Sequence, residues 1–358
     1  MRENTDYITL MNRGIRQLVT DALKISLHRP SLALFILKSF YWQRQAEKRR
    51  LDCEKKGVHV PPFMIISITN RCNLKCKGCY ALAQKRQQRS EMTGEKLTRV
   101  IGEARELGVS IILLAGGEPL IRTDLFDITA RFPDIIFPVF TNGMLLNPVT
   151  IARFKRQKNV LPVISLEGQR RDTDIRRGAG VHDYLARTIK RINKTGIFFG
   201  ISFTMTRDTF TTLTDPDFIA SVVKLGAKLF FFIDYIPVQE GTADMELTPE
   251  QSRSVGNLME TFRLKYPALF IAFPGDEAEF GGCLSSGRGF VHVAPDGSLE
   301  PCPFAPYSDT NLRELPLKDA LKSRFLETIR ENRDKLDESG GGCALWVQRE
   351  WVKSLLPD

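Results

Sequence analysis

Hydrophobic positions along this chain follow one spacing before residue 60 and another after it. Ile8, Met11, Ile15, Leu18, Val19, Leu23 and Leu27 recur at helical intervals, which predicts an amphipathic helix with one apolar stripe. Arg29-Pro30 breaks that pattern. A second helical segment is expected to start with Ser31 as its N-cap. It carries the apolar run 32–37 into Phe40-Tyr41-Trp42 and ends in a basic, polar tail over 43–56. The apolar part is about half of the ~20 residues that a bilayer crossing needs, so the segment cannot span a membrane. It is expected to pack on the rest of the chain. An apolar block beside Arg44, Lys48, Arg49 and Arg50 also suits a membrane surface, a partner or a lipid-like ligand, and places any such contact at residues 31–50.

From Phe63 short β-rich runs alternate with helical patterns. Strands are expected at 63–69, 110–114, 135–140, 160–166, 197–204 and 229–233. Helices are expected at 93–107, near Asp124, and at 148–155, 182–193 and 217–225. Such alternation predicts an α/β fold with a parallel sheet, here a partial (β/α)6 barrel. Sites in parallel α/β architectures sit at the C-terminal strand ends. Thr248-Pro249-Glu250-Gln251 has the N-cap, first-turn proline and capping-box residue of a helix start; that helix, to about Tyr266, is expected to close the barrel. Beyond Phe273-Pro274-Gly275, a hairpin is expected around the turn Pro295-Asp296-Gly297, followed by a helix over 317–332.

At 358 residues the chain has room for one large α/β domain with appendages. The net charge of +9, concentrated in the first sixty residues, reads as a solvated basic face, because no nucleic-acid-binding motif accompanies it. The seven cysteines fall mostly in two groups without disulfide-like pairing. That usage, with no secretory signal, points to a reducing, cytoplasmic setting in which thiolates bind metal. Cys53 stands alone and reads as a free thiol.

Three cysteines form the pattern C-x3-C-x2-C at Cys72, Cys76 and Cys79, with Tyr80 directly after. Closed structural zinc sites want four ligands, and no fourth Cys or His is near. The ferredoxin spacing C-x2-C-x2-C-x3-C-P is absent, and a disulfide would leave one thiol over. What remains is an iron–sulfur cube held by three cysteines, with one iron open to a small ligand.

This motif resembles the signature of the radical SAM superfamily. The resemblance implies a [4Fe-4S] cluster whose open iron is chelated by S-adenosylmethionine, with reductive cleavage to a 5'-deoxyadenosyl radical that abstracts hydrogen from a substrate. Further segments at strand ends resemble the family's cofactor motifs. Gly116-Gly117-Glu118-Pro119 is similar to the segment that holds the methionine amine. Thr141-Asn142 ends the third strand at a position that supports the cofactor in relatives. Ser165-Leu166-Glu167-Gly168, with Arg176-Arg177-Gly178, resembles the pattern whose Ser and Arg contact the cofactor carboxylate. Arg177 fits that spacing best, with Arg176 as the alternative, and a guanidinium fork suits a carboxylate. Tyr80, Gly116, Gly117, Glu118, Pro119, Thr141, Asn142, Ser165, Glu167 and Arg177 are thus the expected cofactor residues.

The later cysteines, Cys283 and Cys302, are spaced C-x13-G-x4-C. This resembles the opening of the SPASM/twitch extension, which carries auxiliary iron–sulfur clusters. Only Cys343 follows, so a truncated version with one auxiliary cluster on Cys283, Cys302 and Cys343 is expected. His292, Asp334 and Asp337 are candidate fourth ligands; buried, metal-free cysteines are the alternative.

The organisation expected is a helical N-terminal extension (1–60), a radical SAM partial barrel (61–268) and a small C-terminal iron–sulfur domain (269–358). The activity expected is radical SAM chemistry on a peptide or protein, as in maturases. Its rivals are the same chemistry on a small-molecule or lipid-like substrate, and a non-catalytic iron–sulfur electron carrier. A flavodoxin- or ferredoxin-like donor of low potential is the implied redox partner, and no nucleic acid is expected.

Overall fold

Seven short strands run parallel in chain order and form the wall on which everything else is hung. They are β1 (Phe63–Ser67), β2 (Ile111–Ala115), β3 (Phe137–Thr141), β4 (Val160–Ser165), β5 (Gly200–Met205), β6 (Leu229–Asp234) and β7 (Leu269–Phe273). β8 (Phe290–Val293) adds parallel to the free edge of β1, with Ile65 opposite His292, and β9 (Leu299–Glu300) returns antiparallel to β8. The sheet order is therefore β7-β6-β5-β4-β3-β2-β1-β8-β9, curled into a partial barrel. The computed structural model describes residues 2–84, 90–274, 280–336 and 342–356. Gly275 and Asp337 lie outside the described residues.

The N-terminal extension is a pair of long helices, α1 (Arg2–Ser26) and α2 (Pro30–Glu54). Between the strands run α3 (Tyr80–Ala83), α4 (Gly94–Leu107), α5 (Leu125–Thr129), α6 (Pro148–Arg156), α7 (Arg170–Arg177), α8 (Val181–Thr195), α9 (Phe210–Thr214), α10 (Pro216–Lys224) and α11 (Pro249–Lys265). After β9 come α12 (Leu317–Ala320), α13 (Arg324–Glu331), α14 (Ala344–Val347) and α15 (Arg349–Ser354). Among the described residues no helix is long and apolar enough to cross a membrane.

Three details differ from the sequence expectation. The barrel does not end with α11, because the apolar run after it becomes β7 and pairs with β6 from Leu229↔Leu269 to Ile233↔Phe273. α2 begins two residues early: Pro30 takes the first turn, where its missing N–H costs nothing, and Arg29 rather than Ser31 is the N-cap. The single helix expected over 317–332 is two, because Ser323 interrupts it as the N-cap of α13, accepting from the Leu326 N–H at 3.2 Å and donating to Asp309 at 2.6 Å.

α1 and α2 pack across the N-terminal ends of the strands. Val19, Leu32 and Ile36 share a core cluster with Phe198, Leu229 and Leu269. Further along, the polar tail of α2 is tied to the barrel by Arg50, which is buried. Its guanidinium donates to the Gly108 carbonyl at 2.6 Å and to Asn12 Oδ1 at 2.5 Å, joining α2 to α4 and α1. Burial pulls this guanidinium down to about 10, against the opposing effect of Glu47. Arg50→Met would leave two buried acceptors without donors, each costing roughly 1–3 kcal/mol. Urea denaturation is expected to show a lower midpoint for this variant with an unchanged slope.

Candidate active site

The loop leaving β1 carries Cys72, Cys76 and Cys79, and backbone hydrogen bonds pin it at both ends. Ile68 donates to the Ala115 carbonyl at 2.9 Å, Gly117 to Thr69 at 2.7 Å and Glu118 to Arg71 at 2.8 Å. On its far side Lys77 donates to the Arg176 carbonyl at 2.9 Å. Glycines at 116 and 117 make this possible. Gly116 has φ +133°, and a Cβ there would sit 2.4 Å from the Thr69 carbonyl oxygen; one on Gly117 would sit 2.1 Å from that of Arg71. The close approach that the Gly-Gly pair provides here is to the cysteine loop.

Glu118 is fully buried behind this turn, where its carboxylate accepts from Thr141 Oγ1 at 2.8 Å, the Asn142 N–H at 2.7 Å and the Leu120 N–H at 3.0 Å. Burial pushes its carboxyl upward, and these three donors pull the other way without cancelling the effect. The carboxylate thus joins the ends of β2 and β3, and sets Asn142 against the cysteines. Asn142 Nδ2 donates to Cys72 Sγ at 3.7 Å and to Asn73 Oδ1 at 2.8 Å. The Leu74 N–H also donates to Cys72 Sγ, at 3.5 Å.

The second electrostatic centre is Glu167, at the end of β4 and without exposure. It accepts from Arg176 Nη1 at 2.6 Å, from Arg177 Nε at 2.7 Å and from Arg177 Nη2. Arg176 Nη1 also reaches Thr204 Oγ1 at 3.2 Å, while its buried Nε has no hydrogen-bond partner. Burial pulls the Arg177 guanidinium down, but Glu167, Cys76 and Cys79 outweigh it and the net direction is up. Burial raises the Cys76 thiol despite the two arginines, and it also raises Cys72.

Among the described residues no group of three His, Cys, Asp or Glu converges on a single ion. An iron–sulfur cube needs no such convergence, because it takes each thiolate on a different corner. N–H groups aimed at sulfur, a surplus guanidinium beside Cys76 and an unpartnered Arg176 Nε fit an anionic cluster with a carboxylate-bearing ligand. The residues present therefore fit both groups.

One cavity of about 980 Å³ runs through the barrel, and Cys72, Cys76, Cys79, Cys283, Cys302 and Cys343 all line it. Of the expected cofactor residues Tyr80, Gly116, Gly117, Asn142, Ser165 and Arg177 line it, together with Arg176. Glu118, Pro119, Thr141 and Glu167 are buried in the wall behind. Tyr80 packs edge-on against Phe304 at 5.2 Å between centroids, joining the first cysteine loop to the segment after Cys302.

Of the candidate fourth ligands, His292 is not placed for that task. It is buried, with Nδ1 2.8 Å from Glu300 Oε2 and Nε2 2.8 Å from Ser67 Oγ, so both ring nitrogens are engaged. Asp334 is exposed on a short 3-10 turn and does not line the cavity. Sequence reasoning missed a further set at the end of β6. Asp234 lines the cavity and accepts from Ser252 at 3.3 Å; Tyr235 donates to Thr242 Oγ1 at 2.7 Å; Gln239 Oε1 accepts the Gly78 N–H at 3.1 Å. Only the position of this set after a strand hinted at it.

A cysteine-bearing loop at the mouth of a parallel half-barrel, with basic and amide groups turned to its sulfurs, defines an iron–sulfur enzyme of the barrel class. Residues 66–222 match the model of the Radical SAM superfamily. The chain is 26% identical over 316 residues to the AdoMet-dependent heme synthase of Methanosarcina barkeri, covering 80% of this chain and 89% of that protein. It is also 26% identical over 318 residues to the mycofactocin maturase MftC of Mycolicibacterium smegmatis, covering 84% and 79%. Streptococcus suis SuiB, solved bound to its precursor peptide SuiA, shares the fold with a TM-score of 0.63 at 18% identity, over 80% of this chain and 70% of that one. The chain carries a Radical SAM domain over residues 66–222, and it resembles enzymes of that superfamily. S-adenosylmethionine and a [4Fe-4S] cluster are the cofactors this implies.

Gly117→Ala is expected to displace the cysteine loop, since its new methyl group would overlap the Arg71 carbonyl. Iron and sulfide analysis of the purified variant should show most of the first cluster lost, with the far-ultraviolet circular dichroism of the fold retained.

Proposed function

We propose that Cys72, Cys76 and Cys79 hold the [4Fe-4S] cluster, and that the enzyme removes a hydrogen atom from a small-molecule substrate lodged in the barrel below it. The observation that carries this reading is one cavity lined by both cysteine groups and, at its far end, by α1 and α2. Held by these residues beside the cluster, S-adenosylmethionine would supply a 5'-deoxyadenosyl radical on one-electron reduction. The chain's own part is positioning and exclusion of water. Arg176, Arg177 and Ser165 line the cavity where a carboxylate would lie, and the backbone of Gly116 and Gly117 offers acceptors for an ammonium group. Glu167 holds both guanidiniums in place.

Cys283, Cys302 and Cys343 come from separate segments of the chain and face the same space, which supports one auxiliary cluster on these three ligands. An external donor of low potential supplies the electron. The relative named as a heme synthase favours a small molecule. A peptide substrate is the second reading, favoured by the relative named as a mycofactocin maturase; the floor across the barrel weighs against it.

Anaerobically reconstituted protein is expected to form 5'-deoxyadenosine from S-adenosylmethionine and dithionite, and Cys76→Ala to form none. Failure of the wild type, with a full complement of iron and sulfide, would favour an electron carrier instead. Changing Cys283, Cys302 and Cys343 together to alanine is expected to leave about half of the iron, that of one cluster of two. Unchanged iron would remove the auxiliary cluster from the reading.

A further inference from the structure

A cavity runs along the inner face of the half-barrel, beside a small core that includes Val163, Leu229 and Phe231. On six strands the inward residues Ile65, Leu113, Phe140, Leu161, Ile233 and Ile271 are only half-buried. Their outward neighbours Met64, Ile112, Val139, Ile164, Phe232 and Ala272 all show 0% exposure. In a filled α/β barrel, inward side chains stack in layers and shut out solvent. Here they line the cavity instead.

Polarity is graded along that cavity. Among the described residues, Ser165, its register partner Ser202, Thr204 and Asp234 are the polar side chains that the strands turn toward it, and they join the cysteines in the upper part. The remaining strand lining is aliphatic, aromatic or proline. Below, Ile15, Leu18 and Val19 of α1 and Leu32, Phe35 and Ile36 of α2 make a chiefly apolar chamber, whose lining also includes Gln17, Asp21, Lys24 and Ser39. The 980 Å³ lies at the upper end of the roughly 300–1,000 Å³ usual for small-molecule sites, so the space admits a second ligand below the cofactor.

The geometry points to a lipid-like amphiphile: we propose that the lower chamber binds its apolar chain, with the reacting carbon held above, under the cysteine loop. This rests on the small-molecule reading given above and narrows it to a class. A peptide would bring backbone N–H and C=O groups into a chamber whose strands already pair theirs, and each unpaired group would be costly. A porphyrin-type ligand carries carboxylates, and the cations lining the lower rim, Lys24 and Arg263, are already engaged by Asp21 and the Phe270 carbonyl. An apolar chain needs neither kind of partner, and apolar cavities accept apolar ligands without water.

The outer face of the same helical pair agrees with that class. Leu27, Leu34, Leu37 and Tyr41 are 52–64% exposed, and Lys38, Arg44 and Lys48 are exposed nearby on α2. Apolar side chains flanked by basic ones suit contact with an anionic lipid surface. The strands of five or six residues span ~17–20 Å, so the chamber suits a long chain better than a short one.

Full-length, reconstituted protein would be titrated anaerobically with 11-(dansylamino)undecanoic acid, with palmitate, hexanoate and iron-coproporphyrin III as competitors. The expected result is fluorescent uptake reversed by palmitate and not by hexanoate. In Ile271→Trp and Leu113→Trp, which fill the chamber, affinity for the probe should fall by ~10-fold or more, while binding of S-adenosylmethionine is kept. No uptake, equal displacement by hexanoate, stronger displacement by the porphyrin, or unchanged affinity in both variants would overturn the proposal. A parallel loss of S-adenosylmethionine affinity in both variants would also overturn it, because the two ligands would then not occupy separate spaces. Deoxyadenosine formation on the same preparation separates the two readings: uptake without it leaves the chamber standing and sinks the proposed activity.

Discussion

The arrangement of the site depends first on one buried carboxylate, that of Glu167. Two guanidiniums converge on it, so the cluster of charges carries one positive charge over, and that charge lies beside Cys76. Taking three ions out of water is expensive and is tolerated only while every partner stays in place. Removing Glu167 would leave two uncompensated cations, so its position fixes α7. α7 in turn fixes the cysteine loop, because the Arg176 carbonyl accepts the Lys77 N–H. Burial alone would keep Cys72 and Cys76 protonated. The surplus positive charge and the N–H donors around the sulfurs oppose that, as a thiolate ligand requires.

The same economy of polar groups explains why the barrel interior can remain open. A parallel sheet satisfies its own backbone, so its inner wall shows only side chains. The outward faces make the packed core against the helices, while the inward faces share a smaller core with α1 and α2 and leave the rest of their surface to the cavity. What a half-barrel lacks is closure at its N-terminal end, and α1 with α2 supplies it. Ile15, Val19, Leu32 and Ile36 make that floor chiefly apolar, with Gln17, Asp21 and Lys24 of α1 also on its lining. The basic residues of α2 lie on its outer side or, like Arg50, reach inward to named acceptors.

Much of this was legible in the sequence because the signals are local. Strand and helix periods, the C-x3-C-x2-C spacing and the glycine pair each lie within one segment. β7 was not legible: Leu269 to Phe273 is a short apolar run directly behind a helix, and what makes it a strand is the open edge of β6. The Tyr235–Thr242 and Gln239–Gly78 contacts were invisible for a related reason, since they join the end of β6 to the cysteine loop. Glu118 and Glu167 were read as cofactor residues from their motifs. The structure puts both in the wall, where they orient Thr141, Asn142, Arg176 and Arg177. Short motifs mark where a site lies more clearly than which of their members face it.

The two cysteine groups, far apart in sequence, line one cavity, and β8 enters the sheet beside β1. That pairing is parallel, while β9, which leads to Cys302, returns antiparallel to β8. Ser67 closes β1 five residues before Cys72, and Glu300 closes β9 two residues before Cys302. His292 lies between them, 2.8 Å from Ser67 Oγ and 2.8 Å from Glu300 Oε2, in a chain of buried groups. Buried polar chains are costly when broken and rigid when complete. A histidine with both nitrogens engaged therefore serves here as a spacer between the two cysteine-bearing loops. Any electron passing between the clusters proposed there would cross a distance set by the sheet and by this side chain, not by flexible loops.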